Sequence, residues 1–402
     1  MVCEVCGSEF GKLKLDLGTH PLCDDLTLIG SNVDIPKYQQ LISLCEICLT
    51  AHQVVPVEKE LLFKPNYHYR ASLTKDVLDG MRSLVKDLSL ELSDGGRSSY
   101  VLDIGCNDGS LLGIFKEEFS CVTIGVDPTG AILESGSKVD FKFNEYFSAA
   151  TAKKIMEQHP VLDLITFTNV FAHIEDLPTL LANLGSIIGP ETSLVIENHY
   201  LGAILNRNQF DTFYHEHPRT YSLRSFEYIA KSLGLLITDV QFPARYGGNI
   251  RVTMKKSGLP ADLISFQNQE DLYIAQFSAL QNLYTSWKDS AVEAYLALSK
   301  RGKIYGKALP GRAVMLINAL GIDASTMPVI FEQPSSPKVG NYVPSTKIEV
   351  LSDADILRID PQILIVWSWH IIEEIERYLD SLGYRGEIWI PLPEFKMYRA
   401  AL

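Results

Sequence analysis

Four consecutive side chains, Tyr214-His215-Glu216-His217, are of types that handle protons: a phenol, two imidazoles and a carboxylate. Imidazole changes charge near neutral pH, so a histidine beside a carboxylate and a phenol suits general acid–base work. Three of the four could also ligate a metal by type. Adjacent residues point in different directions, however, and ligand sets want helical or strand spacing, so acid–base chemistry is the better functional reading; an ordinary polar loop is the alternative. A second stretch, Asp103-Ile-Gly105-Cys-Asn107-Asp108-Gly109, puts two glycines and two acids in one short loop, and Asp127 follows 24 residues after Asp103. Glycines let a ligand approach the backbone closely, and an acid after the next strand is placed to bond ribose hydroxyls. A third pattern is Cys3-x-x-Cys6 with Cys45-x-x-Cys48. Each pair fits a knuckle that supplies two thiolates, and two pairs close a tetrahedral structural zinc site. Cys23, between the pairs, is either an alternative ligand or a buried thiol. A redox role for a Cys-x-x-Cys is disfavoured, because neither pair opens a helix after a thioredoxin-like strand.

The elements that must hold these residues can be read from periodicity. Val101, Leu102 and Ile104 form an apolar run that predicts a buried parallel strand, and helical spacing follows Gly109. Val122–Val126 predicts the second strand, ending at Asp127. Further strands are expected at 141–147, at 162–169 ending on Asn169, and at 193–197 running into His199 at the edge where ligands sit. Asp176 with Pro178 predicts a helix start. Phe242 to Val252 predicts a strand pair around Gly247-Gly248. Upstream, Leu73, Val77, Leu78, Met81, Leu84, Val85 and Leu88 predict a helix. Before it, Tyr67 and Tyr69 are as suited to packing as to function. Downstream, a long helical tract from 260 to 299 precedes a second set of strands at 303–307, 328–331, 363–366 and 387–390. The turn after Tyr305-Gly306 carries Lys307 and Arg312 beside backbone N–H groups, which suits a phosphate; a solvated loop with two cations suits the sequence equally well.

Composition bounds the partners. The 402 residues are 46% apolar and carry a net charge of −13. That length predicts two or three domains, and that charge argues against nucleic acid as a bulk partner. The N-terminus has no signal-peptide pattern and no apolar run reaches bilayer length, so a cytoplasmic setting without a membrane partner is expected. Seven cysteines, an odd number, fit reduced thiols better than a disulfide framework.

The glycine loop lacks the second glycine of a dinucleotide fingerprint, since Asn107 stands there. Asp103-x-Gly105-x-x-x-Gly109 with the later Asp127 resembles the S-adenosylmethionine (SAM) loop of class I methyltransferases. Taken whole, the chain resembles the sugar C-methyltransferases that act on nucleotide-linked ketosugars in deoxysugar biosynthesis. The paired cysteines, the Gly-Cys-Asn-Asp-Gly-Ser-Leu loop, Tyr-His-Glu-His, Gly247-Gly248 with Arg251, Tyr305-Gly306 and Ile390-Pro-Leu-Pro393 carry that resemblance in order. It implies an α/β protein of three parts. These are a zinc-binding module at 1–66, a Rossmann-like SAM-binding domain at 67–255, and a second Rossmann-like α/β domain at 256–402 that helps hold the nucleotide sugar. It also implies His217 as the base, assisted by Tyr214, Glu216 and Tyr69. Asp103, Gly105, Asn107, Asp108, Gly109, Asp127 and Asn169 would line the cofactor, and Tyr67, His199, Lys307 and Arg312 the substrate. An O- or N-methyltransferase, or a non-catalytic nucleotide-sugar binding protein, are the alternatives. Two departures from the usual pattern, Pro218-Arg219-Thr220 after the motif and Tyr246 where histidine is common, lie near the expected sugar site.

Overall fold

A computed structural model describes residues 1–64, 69–73, 75–92 and 98–401. Its centre is a seven-stranded sheet in the order Leu236–Gln241, Asn249–Lys255, Ser193–His199, Leu164–Thr168, Tyr100–Ile104, Val122–Val126, Phe141–Phe143. The five strands from Ser193–His199 to Phe141–Phe143 run parallel, and Asn249–Lys255 runs antiparallel to its neighbours on both sides, Ser193–His199 and Leu236–Gln241. The chain winds outward from Tyr100–Ile104 through two strands, then jumps back to Leu164–Thr168 on its other side. The carboxyl ends of Tyr100–Ile104 and Leu164–Thr168 therefore flank a topological switch point, where doubly wound sheets open a crevice for ligands. The central strands are buried on both faces and mostly apolar, as a sheet covered by helices requires, with Asp103 and Thr166 as a hydrogen-bonded polar pair between them.

Local chemistry sets the turns around that crevice. Gly109 adopts φ 71° as the N-cap of helix Ser110–Phe119, a conformation glycine takes without a Cβ clash. Asp176 accepts the N–H of Thr179 and Pro178 sits in the first turn, so helix Leu177–Ile187 starts where those residues predict. The tract from 260 to 299 is two helices, Ile264–Glu270 and Tyr273–Ser299, rather than one.

The expected N-terminal module is interleaved with its neighbours. Strands Leu13–Pro21, Lys37–Leu44 and Ala51–Gln53 form an antiparallel sheet whose fourth strand, Arg219–Thr220, comes from just after the Tyr-His-Glu-His motif. Thr27–Leu28 closes the edge of the third sheet by pairing with Asn341–Tyr342. That eight-stranded sheet is centred on Tyr305–Lys307, Val329–Glu332 and Ile363–Val366, which are parallel. A segment of about sixty residues has too little core to stand alone, and edge pairing supplies what it lacks. One contiguous apolar core accordingly runs from Cys3 to Phe395 through all three sheets. No helix among the described residues is long and apolar enough to cross a membrane.

Candidate active site

A cavity of about 410 Å³ opens at the switch point, within the size range of small-molecule sites. Its wall includes Asp103, Gly105, Asn107, Asp127 and Asn169 on one side and His199, Tyr214, Glu216 and His217 on the other, with Tyr69 at the rim. Sequence reasoning named all of these. The structure adds His173 and Arg245 to the wall, together with Tyr246, which the sequence had set near the expected sugar site.

The sheet edge forms the first side. Gly105 has φ 79°, and a Cβ there would stand 2.4 Å from the Val170 side chain. Only glycine leaves the backbone bare at this point. Asp127 accepts the Asn107 N–H at 2.9 Å and the N–H and hydroxyl of Thr129 at 2.8 and 2.5 Å. Its carboxylate is thereby fixed at the end of the second strand. Asp103 is buried, accepts the Thr166 hydroxyl at 2.7 Å, and has its pKa pushed up to about 7 by burial. A buried carboxyl raised this far gains most from a cationic ligand. Asn169 sits at φ 55°, donates its N–H to the Glu197 carbonyl at 2.7 Å and accepts from Asn249 at 3.1 Å. Asp108 and Gly109 are not on the cavity wall. Asp108 accepts the Ser110 hydroxyl at 2.6 Å and the Ser72 N–H at 3.1 Å, while Asn107 accepts the Ala71 N–H at 3.0 Å. Together they tie down the segment that carries Tyr69. Tyr67 lies outside the described residues.

The second side is built by the Tyr-His-Glu-His stretch and what holds it. Gln53 donates its side-chain N–H to the Tyr214 carbonyl at 2.8 Å and its backbone N–H to the Pro218 carbonyl at 2.9 Å. Arg219 is buried, pairs with Glu4 and caps the carbonyls of Ile174 and Glu175. The cysteine module therefore braces the motif from both ends. The two histidines diverge. His215 bonds the Tyr38 carbonyl at 3.2 Å, away from the cavity, while His217 faces it. The His217 Nδ1 lies 2.8 Å from the Thr212 carbonyl. A carbonyl only accepts, so Nδ1 carries the proton and Nε2 keeps a lone pair. The orienting group is thus a backbone carbonyl rather than the expected carboxylate. Glu216 instead accepts the Cys23 thiol at 2.7 Å, and its backbone carbonyl takes Nδ1–H of His173 at 2.7 Å. Neighbouring residues leave the chain on different sides, which is why Glu216 and His217 part.

Rings pack around His217: Tyr214 at 4.2 Å and His173 and His199 each at 4.9 Å between centroids. Burial, and then the other two imidazoles, hold His217 well below the usual histidine range. Burial pushes His199 well below it and lowers His173 to about 4. All three are neutral at pH 7, and Tyr214 is held protonated by burial.

Lys307 and Arg312, read from sequence as candidates for a phosphate, are committed elsewhere. Lys307 is buried against Asp353 at 2.6 Å. Arg312 forks onto Asp211 at 2.6 and 2.8 Å and also donates to Thr212, Gln209 and the Tyr246 carbonyl. Neither cation lines the cavity.

The four cysteines meet. Cys3, Cys6, Cys45 and Cys48 place their sulfurs within 4.8 Å of one another, with Cys3–Cys48 at 3.4 Å and Cys6–Cys45 at 3.6 Å. Tetrahedral zinc with Zn–S bonds of about 2.3 Å separates neighbouring sulfurs by about 3.8 Å. The donor set and its spacing fit that ion. The Thr50 hydroxyl at 3.1 Å from Cys48 and His52 at 3.2 Å from Cys3 supply outer partners. Cys23 stands apart, on Glu216.

The sequence is similar to those of known methyltransferases. Residues 76–240 match a family model described as a methyltransferase domain, and residues 244–393 match one described as a C-methyltransferase C-terminal domain. Over 422 aligned positions, covering 99% of this chain and 97% of the relative, the sequence is 26% identical to the C-methyltransferase NovU of Streptomyces niveus. Among solved structures it is similar to the magnesium protoporphyrin IX methyltransferase of Synechocystis PCC 6803, at 14% identity over 45% of this chain and 84% of that one, TM-score 0.35. The PH0226 protein of Pyrococcus horikoshii OT3 is similar at 16% identity over 48% of this chain and 100% of that one, TM-score 0.36. The chain is a SAM-dependent methyltransferase. Its carboxyl-terminal match and its full-length relative are both described as C-methyltransferases.

Proposed function

We propose that this enzyme deprotonates the carbon alpha to the ketone of a nucleotide-linked keto-deoxysugar and methylates that carbon. The observation that carries the reading is His217, a buried neutral imidazole whose Nδ1–H is taken by Thr212 and whose Nε2 is left for the cavity. Oxygen and nitrogen acceptors also lose a proton on methylation, but a carbon acid depends on a base the most, and the full-length relative named as a C-methyltransferase supports carbon. A C–H next to a ketone is acidified because its anion delocalises onto oxygen, and a base of this kind typically contributes a hundred- to ten-thousand-fold. When bound, SAM supplies an electrophilic methyl group on a sulfonium. Asp103 would face its charged methionyl end, Asp127 its ribose hydroxyls, and Gly105, Asn107 and Asn169 would shape the cradle. His217 takes the alpha proton. His199 and Tyr214 flank the ketone, and holding both partners in one closed cavity supplies much of the remaining acceleration. The apolar wall keeps water from the carbanion.

In this reading residues 1–66 form a zinc-stapled module whose task is to brace the base. Residues 67–255 hold the methyl donor, and 256–402 contribute to the nucleotide-sugar site. Lys307 and Arg312 support the fold rather than the phosphates. The test is solvent exchange: with a panel of nucleoside-diphosphate ketosugars and no SAM, the enzyme should wash deuterium from D2O into the alpha carbon. His217→Asn should lose that exchange and methyl transfer while keeping the fold; His215→Asn should keep both. Methyl transfer that survives His217→Asn would point to oxygen or nitrogen as the acceptor, and binding without any turnover to a non-catalytic protein.

A further inference from the structure

Tyr246 adopts φ 53°, ψ 22° in a short turn between two strands. A non-glycine residue in the left-handed region costs on the order of 1 kcal/mol or more and persists only where its surroundings enforce it. The surroundings do so from three sides. Arg312 donates to the Tyr246 carbonyl at 3.2 Å. The guanidinium of Arg245 lies over the phenol ring, its carbon 5.3 Å from the centroid. The hydroxyl meets that of Tyr69 at 3.2 Å. The ring edge turns to His199, 5.7 Å away between centroids, and His199 in turn packs on His217. Tyr246 therefore stands in the same cavity as the base, with one imidazole between them.

Arg245 is nine-tenths buried. Its nearest carboxylate oxygen, on Glu197, is 3.3 Å away, and Glu197 is already held by Arg251 at 2.8 Å. Among the described residues none of the three Arg245 nitrogens makes a well-aligned hydrogen bond, so the Glu197 ion pair is its compensating contact. The cluster's positive end thus faces Tyr246 and the cavity. Room for this side chain comes from Gly80, in the middle of helix Lys75–Asp87, where a Cβ would stand 2.2 Å from Cδ of Arg245. Mid-helix glycine costs about 1 kcal/mol against alanine. A buried guanidinium that shares its carboxylate with Arg251 has charge to spare for a negative charge developing in the cavity.

We infer that Tyr246 is the proton donor to the ketone oxygen, opposite His217, with Arg245 as the positioning residue that stabilises the charge there. The inference rests on the carbon-acid reading above. As His217 takes the alpha proton, the C–H pair becomes a C=C bond, and the carbonyl π pair moves to oxygen, where the Tyr246 O–H delivers its proton. In the second step the oxygen returns that proton to Tyr246 and the carbonyl re-forms. The C=C pair bonds the methyl carbon, and the C–S pair stays on sulfur. The imidazolium proton leaves to solvent. Either phenol can donate across the pair; with Tyr69 as the donor, the Tyr246 O–H is left for the substrate. Burial raises the Tyr246 phenol and so keeps it a proton donor at pH 7, while the Arg245 charge offsets part of that rise.

The test uses the full-length enzyme, a nucleoside-diphosphate ketosugar that the wild type deuterates, and no SAM. Tyr246→Phe should slow alpha-carbon exchange by about a hundred- to a thousand-fold, the scale for removing one oxyanion donor, with sugar binding by calorimetry within a few-fold of wild type. Fluorotyrosine at 246 keeps the shape but lowers the phenol pKa, and it should move the basic limb of the exchange profile to lower pH. The same replacement at the half-exposed Tyr69 should move it less. Exchange by Tyr246→Phe at the wild-type rate, or a fluorotyrosine profile identical to wild type, would overturn the inference and leave the role of His217 standing. A wild type that transfers methyl groups yet exchanges with no ketosugar would overturn both.

Discussion

Arg312→Met is the perturbation whose cost the structure sets most clearly. The guanidinium makes both forks of an ion pair with Asp211, at 2.6 and 2.8 Å, and donates further to Thr212, Gln209 and the Tyr246 carbonyl. Asp211 is fully buried. After the substitution its carboxylate keeps the Trp369 indole N–H at 2.9 Å but has lost its counter-charge. Removing one partner of a buried pair typically costs about 3–5 kcal/mol, because the remaining charge is left uncompensated in a low dielectric. A surface pair would cost below about 1 kcal/mol. The measurement is urea unfolding followed by tryptophan fluorescence, for which Trp369 is a local reporter, since Arg312 also lies 5.2 Å over its ring. Adding Asp211→Asn to Arg312→Met should recover part of the loss by removing the orphaned charge. The same bonds hold Thr212, whose carbonyl sets the His217 tautomer, and the Tyr246 backbone. Activity should therefore fall further than the folded fraction does. A loss below about 1 kcal/mol, or no recovery in the double variant, would refute the strut and restore Arg312 as a free cation for phosphate.

Three further outcomes follow from the same geometry. Purified enzyme should carry one zinc per chain, and Cys45→Ser should lose it together with methyl transfer, because Ala51–Gln53 braces the motif; full zinc content in the variant would count against the four-thiolate site. Asp103 is pushed up to about 7 from an ordinary 3.8, so between those values the fold binds a proton that the unfolded chain has released. Its contribution to stability is therefore favourable at low pH and lost as pH rises toward 7. A cationic ligand reverses that preference: SAM affinity should climb as pH rises through about 7, with proton release detectable by calorimetry in buffers of different ionisation heat, and Asp103→Asn should abolish the release. Gly105→Ala should abolish SAM binding, since its Cβ would meet Val170 at 2.4 Å; unchanged binding by calorimetry would remove Gly105 from the cradle.

How far the residues revealed this arrangement depended on how local the chemistry is. The strand, glycine turn and helix from Tyr100 to Phe119 were legible because apolar runs, positive-φ glycines and spacing act within a dozen residues. The cysteine pairs were legible for the same reason, since each knuckle is a four-residue unit. The divergence of His215 and His217 was anticipated, but the acceptor that orients His217 was not, because nothing in a linear motif marks the Thr212 carbonyl as its partner. Lys307 and Arg312 misled for a physical reason. A sequence displays a cation but hides the carboxylates that neutralise it, here 46 and 101 residues away in the chain. Tyr246 was marked near the sugar site by its departure from the family pattern, but Arg245 and the contacts of both were hidden by tertiary context: the left-handed turn, the bare Gly80 beneath the guanidinium and the nearness of Tyr69 all arise from packing between distant segments. His173 left one faint signal, its place a few residues beyond Asn169 at the carboxyl end of a predicted strand. The strand exchange of the N-terminal module was beyond reach, as Thr27–Leu28 and Arg219–Thr220 are too short to show periodicity.

The most direct test of the account is the bond that the transferred methyl group makes. The enzyme, SAM labelled with 13C at the methyl group, and the panel of nucleoside-diphosphate ketosugars would be incubated together and the product examined by carbon NMR. The account predicts a labelled methyl at aliphatic C–CH3 shift, coupled to a sugar carbon next to the ketone, and no such signal with His217→Asn. A labelled methyl at methoxy or N-methyl shift, formed by wild type and His217→Asn alike, would contradict it.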